Sequence, residues 1–151
     1  DQLIQEEVIN EEKLGQVGKV QQINAAFLQL LTEKKHVPIL APLGITPEGQ
    51  WLNINADEVA CQVAASLQAE KLYLLTDVPG IKQESQWLSA VSFEEIPRLI
   101  TEEVVTGGML PKLKSAQKAL KAGVAAVCIT DRIDRLGTQI LAASPAAAVC
   151  S

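Results

Sequence analysis

The chain has 151 residues, 48% of them hydrophobic and 21% charged, enough for one domain with a full core and far from the composition of a disordered segment. A formal net charge of −5 argues against general nucleic-acid binding, so any anion site must be local. Aromatics are only 3%, so Leu, Ile, Val and Ala must build the core, as where helices pack on a parallel sheet; no apolar run of 18 residues predicts a membrane span.

In chain order, the acidic start 1–14 predicts a short edge strand in "QLIQEEVI", then a loop. "VGKVQQI" (17–23) alternates as a strand does. Asn24 can cap a helix whose apolar positions are Phe27, Leu28, Leu30 and Leu31. That helix ends at "EKKH", where cations suit the negative end of the helix dipole. "VPILAPLGI" (37–45) is a continuous apolar run and predicts a buried parallel strand, followed by a turn at "TPEG". "QWLNI" leads into an alanine-rich helix over 55–69, where Asn55 and Glu58 have capping-box spacing.

"KLYLLTDVPGI" (71–81) predicts a second buried strand running into a Pro-Gly turn. Ser92 and Glu95 form another capping box, for a helix over 93–102 that Pro97 should shorten or kink. A helix follows at 109–122, a third buried strand at "VAAVCIT" (124–130) and a last, outer strand at "GTQILA" (137–142). Strands alternating with helices predict an α/β fold with a mainly parallel open sheet. Ligands of such sheets bind beyond the C-terminal strand ends. "PLG" (42–44), "TDVPG" (76–80) and "TD" (130–131) all lie just past strands.

The three cysteines, Cys61, Cys128 and Cys150, are odd in number and form no CxxC. A reducing cytoplasm fits them better than a disulfide framework, with Cys61 and Cys128 as buried thiols. The one histidine, His36, suits a helix C-terminus and has no catalytic partner in its motif. The one methionine is Met109 and residue 1 is Asp, so the sequence reads as a processed chain or a piece of a longer one.

Within "VVTGGMLPKLKSAQKALKAG" (104–123), Lys112 and Lys114 stand in the first turns of a helix, where its dipole repels cations. An anion at the helix start would reverse that cost. Gly107 and Gly108 would let backbone amides approach a phosphate, and a lysine would neutralise a transferring phosphoryl group. The alternative is a Gly-Gly turn with solvated lysines; the stretch is not a Walker A motif. Asp57, in the first turn of its helix, is either a dipole-favoured helix-start acid or a functional carboxylate. Asn53 and Asn55 flank it, as cap residues or as clamps for a carboxylate or amide ligand. Asp77 can hold ribose or a metal-phosphate, or begin a turn.

"NINADEVACQVAASLQAEKLYLLTDVPGI", then "TGGMLPKLKSAQKALKAGV", with "VGKV" and "VPILAPLGI" in front, resembles the acetylglutamate kinases of the amino acid kinase family. The resemblance covers nearly all of residues 14–142, with the blocks in order and near the family spacing. It implies the C-terminal, nucleotide-binding lobe of that fold, a three-layer sandwich, as a single domain over 1–151. The implied reaction moves the γ-phosphoryl group of ATP, accompanied by Mg2+, to the side-chain carboxylate of N-acetyl-L-glutamate in arginine synthesis. By resemblance Lys112 stabilises the transferring group, Asp57 orients the catalytic lysines, and Asn53, with Asn55, contacts the acceptor. Thr76, Asp77, Val78, Gly80 and Ile81 line the nucleotide, as do Val104, Val105, Thr106, Gly107, Gly108 and Met109. A small-molecule acceptor, a cytoplasmic homo-oligomer and neither nucleic-acid nor membrane partners are implied.

The sequence departs from the family pattern twice. The family's N-terminal half, with a strand-borne lysine, a glycine-rich loop and much of the acceptor pocket, is missing. After "VCIT", "DRIDRL" (131–136) stands where the family has a glycine–basic turn and a helix. A non-catalytic nucleotide-binding module and an aminoadipate-type kinase of lysine synthesis are the alternatives.

Overall fold

A computed structural model describes residues 4–8 and 17–142. The expected loop after the first strand, the C-terminal tail and Cys150 lie outside the described residues. The chain divides into two compact units, Asp1–Leu67 and Gln68–Ser151.

In the first unit β1 (Ile4–Val8) pairs antiparallel with β2 (Gly18–Ile23), with a register shift between Gln5 and Glu6. Helix α1 (Ala25–Glu33) begins where the Asn24 side chain accepts the Phe27 amide at 3.0 Å. A hairpin follows, β3 (Leu43–Ile45) against β4 (Trp51–Asn53), closed by the turn in which Gly49 N donates to Thr46 O. Helix α2 (Ala56–Ser66) completes the unit. Its core is Ile23, Leu28, Ile54 and Val59, with Val20, Leu40, Val63 and Leu67 packed around them. Leu28, 1% exposed, is the anchor of α1; burying such a side chain contributes about 1.5–3 kcal/mol. Phe27 and Leu30 of the same helix are exposed, so the buried face of α1 is narrower than its apolar pattern.

The run 37–45 is not the buried parallel strand its composition predicts. Only Leu43–Ile45 is a strand, paired antiparallel, and Val37 and Ile39 are exposed. A continuous apolar run becomes a buried strand only when a neighbour supplies hydrogen bonds on its edges, and β4 reaches only the run's last three residues.

In the second unit the main sheet has the order β5 (Lys71–Leu75), β9 (Ala126–Thr130), β10 (Thr138–Leu141), β8 (Ala90–Ser92). Two of its three pairings, β5 with β9 and β10 with β8, are parallel, and β9 with β10 is antiparallel. The chain is thus α/β with a mainly parallel sheet. A small hairpin, β6 (Lys82–Gln83) and β7 (Gln86–Trp87), separates β5 from β8. A 3-10 turn (Phe93–Glu95) leads into the short α3 (Ile96–Thr101), with Pro97 in its first turn, where its missing N–H costs nothing. Ser92 and Glu95 form the expected capping box. Helix α4 (Met109–Lys121) buries Leu113, Ala116, Ala119 and Leu120 and packs on β9.

All five residues of β9 are buried, as its uninterrupted apolar sequence requires of a central strand. Two expectations fail here. β10 is not an outer strand: it lies between β9 and β8, and Ile140 is 0% exposed. β5, expected to be buried, is an edge of this sheet, with Tyr73 and Leu75 exposed. Cys61 and Cys128 are buried, and neither is in a disulfide. Among the described residues no helix is long and apolar enough to cross a membrane.

Candidate active site

The candidate residues of the first unit stand at the junction of β4 and α2. Strand alternation sends Leu52 and Ile54 inward and leaves Asn53 and Asn55 exposed. The Ile54 amide donates to Pro42 O at 2.9 Å, which fixes the chain as it enters the helix. Asn55 is the helix cap, its Oδ1 accepting the Glu58 amide at 3.1 Å. Asp57 is half-buried in the first turn, where the helix dipole favours its charge. Asn53, Asn55 and Asp57 are therefore brought together by local structure alone.

In the second unit the sheet gathers its candidates by topology. β5 and β9 are parallel, so Thr76 and Asp131 leave the same end of the sheet. Helix α4 runs back to the start of β9 and contacts that strand, so its N-terminus lies at this same end. Thirteen helical residues span about 20 Å and a strand of five about 17 Å, which makes the two elements commensurate. The segments 76–81, 104–109 and 131–137 are thus collected at one end of the sheet.

The loop 76–81 is fixed at both ends. Thr76 N donates to Thr130 O at 2.9 Å, and Ile81 N donates to the buried Thr138 Oγ1 at 2.8 Å. Between them the Thr76 hydroxyl donates to Asp77 Oδ1 at 3.1 Å, and Asp77 is exposed. Gly80 is buried with Ile81, whereas Val78 and Pro79 are half-exposed. A cavity of about 260 Å3 opens beside the loop, lined by Pro79, Trp87, Ser89, Arg135 and Leu136 among others.

The segment 104–109 is a tight turn on a buried footing. Val105 is 3% exposed and its amide donates to Leu99 O. Gly107 has φ +56°, the left-handed region that favours glycine. Gly108 is the N-cap of α4 at φ −65°, which any residue adopts, and a Cβ added there would meet nothing within 4 Å. Thr106, Gly107 and Gly108 are exposed, and no side chain caps the helix.

Lys112 and Lys114 differ in environment. Lys112 is half-buried and Lys114 exposed. At about 100° per residue, Lys112 stands about 40° from the buried Ala116 on the helical wheel and Lys114 about 160° away. Lys112 thus borders the face of α4 that packs inward, at the end of the helix that already carries positive partial charge.

The linker 131–136 is closed by two ion pairs, the exposed Arg132 to Asp134 at 2.7 Å and Arg135 to the half-buried Asp131 at 3.2 Å. The Arg132 guanidinium, hydrogen-bonded to Asp134, holds that carboxyl below its ordinary range. Asp131 Oδ1 is buried and has no hydrogen-bond partner among the described residues. His36, at the C-terminal end of α1, is exposed. Thr138 and Gly137 carry the local geometry and were not singled out by sequence, because their contacts are remote in the chain.

The sequence pattern of the amino acid kinase family matches residues 2–131. The acetylglutamate kinase of Listeria welshimeri is 46% identical over 138 residues, 91% of this chain and 55% of that protein. The chain therefore spans about half the length of the curated relatives it matches. Among solved structures, smu.665 from Streptococcus mutans superposes with a TM-score of 0.86 at 38% identity, over 93% of this chain and 57% of that one. Carbamate kinase from Giardia lamblia, bound to AMP-PNP, superposes with a TM-score of 0.67 at 20% identity, over 91% of this chain and 52% of that one. That likeness is one of fold.

Proposed function

Because this chain belongs to the amino acid kinase family, we propose that it carries the nucleotide side and part of the acceptor side of an ATP-dependent kinase. The acceptor is the side-chain carboxylate of N-acetyl-L-glutamate, and the step belongs to arginine synthesis in the cytoplasm. Relatives named acetylglutamate kinase at 42–46% identity support the substrate. The observation that carries the reading is Lys112, a half-buried cation in the first turns of α4, behind a glycine turn. The helix dipole disfavours a cation there, whereas a phosphoryl group at the helix start gains from both the amides and the lysine.

The chemistry asks for positive charge and alignment rather than a base. The acceptor carboxylate is ionised at neutral pH and needs no deprotonation. One of its oxygens forms a bond to the γ-phosphorus while the bond from that phosphorus to its bridging oxygen breaks. ADP leaves with the electron pair, and an acyl phosphate forms. Lys112 neutralises charge on the transferring oxygens, as preorganised cations do in phosphoryl transfer. The loop 76–81 and the turn 104–109 hold the nucleotide. Asn53 and Asn55 offer amide groups to the acceptor, and Asp57 orients cationic groups of the reaction.

Magnesium would accompany the nucleotide. An ion that accompanies ATP would be held mainly by phosphates, with one or two carboxylates from the protein. Asp77 and Asp131, at the ends of adjacent strands, would be such carboxylates, and Asp131 Oδ1 has no hydrogen-bond partner among the described residues.

The test supplies the intact protein with Mg-ATP and N-acetyl-L-glutamate and traps the acyl phosphate with hydroxylamine. Hydroxamate formed with this acceptor and not with its aminoadipate counterpart bears the reading out. Turnover only with the longer acceptor, or tight ATP binding without hydroxamate from either, contradicts it in favour of a lysine-pathway kinase or a non-catalytic module.

A further inference from the structure

Thr138 opens β10, is 1% exposed, and uses its hydroxyl twice. Its Oγ1 accepts the Ile81 amide at 2.8 Å and donates its proton to Leu88 O at 2.6 Å. The Leu88 amide in turn donates to Ile81 O at 2.9 Å, and Gln139 N donates to Ser89 O at 3.0 Å. One hydroxyl therefore joins three segments: the end of loop 76–81, the exit of the β6–β7 hairpin, and β10. The fit is close as well as bonded. A Cβ at Gly80 would lie 2.5 Å from Thr138 Oγ1 and 3.0 Å from its amide nitrogen.

The loop needs such an anchor. It leaves β5, an edge strand of its sheet, so strand pairing restrains it from β9 alone. Thr130 O holds its first amide and the Thr138 hydroxyl its last. Between those two points Asp77 is exposed and Val78 and Pro79 are half-exposed.

We infer that Thr138 is a positioning residue for nucleotide binding: its hydroxyl sets the shape in which loop 76–81 meets the nucleotide, although it touches no ligand itself. The inference rests on the kinase reading above. Ordering the loop beforehand removes that cost from binding. Valine fills the same volume and can neither accept from Ile81 nor donate to Leu88, leaving the buried Ile81 amide and the half-buried Leu88 carbonyl unpaired.

The test compares Thr138→Val and Thr138→Ser in the intact protein, by calorimetric titration with Mg-ATP, steady-state kinetics and amide exchange at Ile81. Thr138→Val should raise Kd and KM for Mg-ATP about tenfold, the effect of losing about 1.4 kcal/mol of hydrogen bonding. It should change kcat by less than about threefold, because the hydroxyl has no part in the transition state. The Ile81 amide should exchange faster, and Thr138→Ser should restore all three quantities. A purely structural role would instead lower the active fraction, and with it kcat, at unchanged KM. If the valine variant does not fold, Gly80→Ala displaces the loop from Thr138 with the hydroxyl retained and should raise the same KM. Wild-type affinity for Mg-ATP in a folded variant overturns the inference alone, as does failure of serine to rescue. Absence of Mg-ATP binding by the wild-type protein overturns the kinase reading and this inference with it.

Discussion

Gly80 lies against Thr138 with no room for a side chain: a Cβ at position 80 would fall 2.5 Å from Thr138 Oγ1. The glycine of loop 76–81 is thus demanded by the chain's own packing. Gly108, in the turn 104–109, is not, because space above it is open and its φ is ordinary.

That contrast makes Gly108→Ala a probe of the ligand rather than of the fold. Replacing a glycine N-cap by alanine costs at most about 1 kcal/mol. Thermal unfolding without nucleotide should therefore move little, while KM for ATP rises several-fold as a methyl group meets the phosphates. Kinetics and a melting curve on the same preparation decide it. Unchanged KM would make the Gly-Gly pair a plain turn.

Asp57→Asn tests the orienting role of that carboxylate. Asn55, not Asp57, caps α2, so the fold should survive, with a loss of about 0.3–1 kcal/mol from the missing first-turn charge. The rate should fall at least tenfold, about 1.4 kcal/mol of barrier. A smaller loss of kcat would leave Asp57 as a helix-start acid.

Three helices end on a non-glycine residue in the left-handed region: Lys35 at φ 62°, Gln68 at φ 49° and Glu103 at φ 53°. Helix α4 ends instead on Gly123 at φ 98°. Glycine at position 35 or 103 should stabilise the protein by about 0.5–1 kcal/mol, since glycine takes that conformation without the Cβ clash. Urea unfolding midpoints measure it, and a lower midpoint would refute it.

These helix ends also show what sequence could and could not convey. Starts were legible, because Asn24, Asn55 and the Ser92–Glu95 pair are local caps that act within one turn. The helical period of α4 and the apolar run of β9 were legible for the same reason. The edges of the sheets were not. The run 37–45 looks like a buried strand wherever its partners are, and β10 looked like an outer strand because β8, three residues long, gives no periodic signal. At the candidate site, Gly107, Gly108 and Lys112 announced themselves by adjacency. Thr138 could not, since it meets Ile81 and Leu88 across 57 and 50 positions.

Acid should weaken the start of α3 in a defined direction. The backbone amide of Ser92, donating to Glu95 Oε2 at 2.7 Å, and then the Ser92 side chain hold the Glu95 carboxyl below its ordinary value. A depressed carboxyl stabilises the fold fully above the ordinary range, about pH 4.3, and loses that contribution as pH falls through the depressed value. Glu95→Gln should therefore lower Tm at pH 7 and converge on the wild type at lower pH. Parallel melting curves at neutral and acid pH, with a constant offset between them, would remove this role from Glu95.

The most direct measurement is kcat of Lys112→Ala and Lys114→Ala in the intact protein, with Mg-ATP and N-acetyl-L-glutamate. Lys112→Ala should leave Tm unchanged or slightly higher, within about 1 kcal/mol, since a repelled cation is removed from the helix start. It should cut kcat by about 10²–10³, the usual loss for one preorganised stabiliser of developing charge, while KM for ATP moves much less. Lys114, exposed on the far side of α4, should be nearly silent. Equal losses at both lysines, or a large loss of stability at Lys112 with kcat intact, would contradict the account.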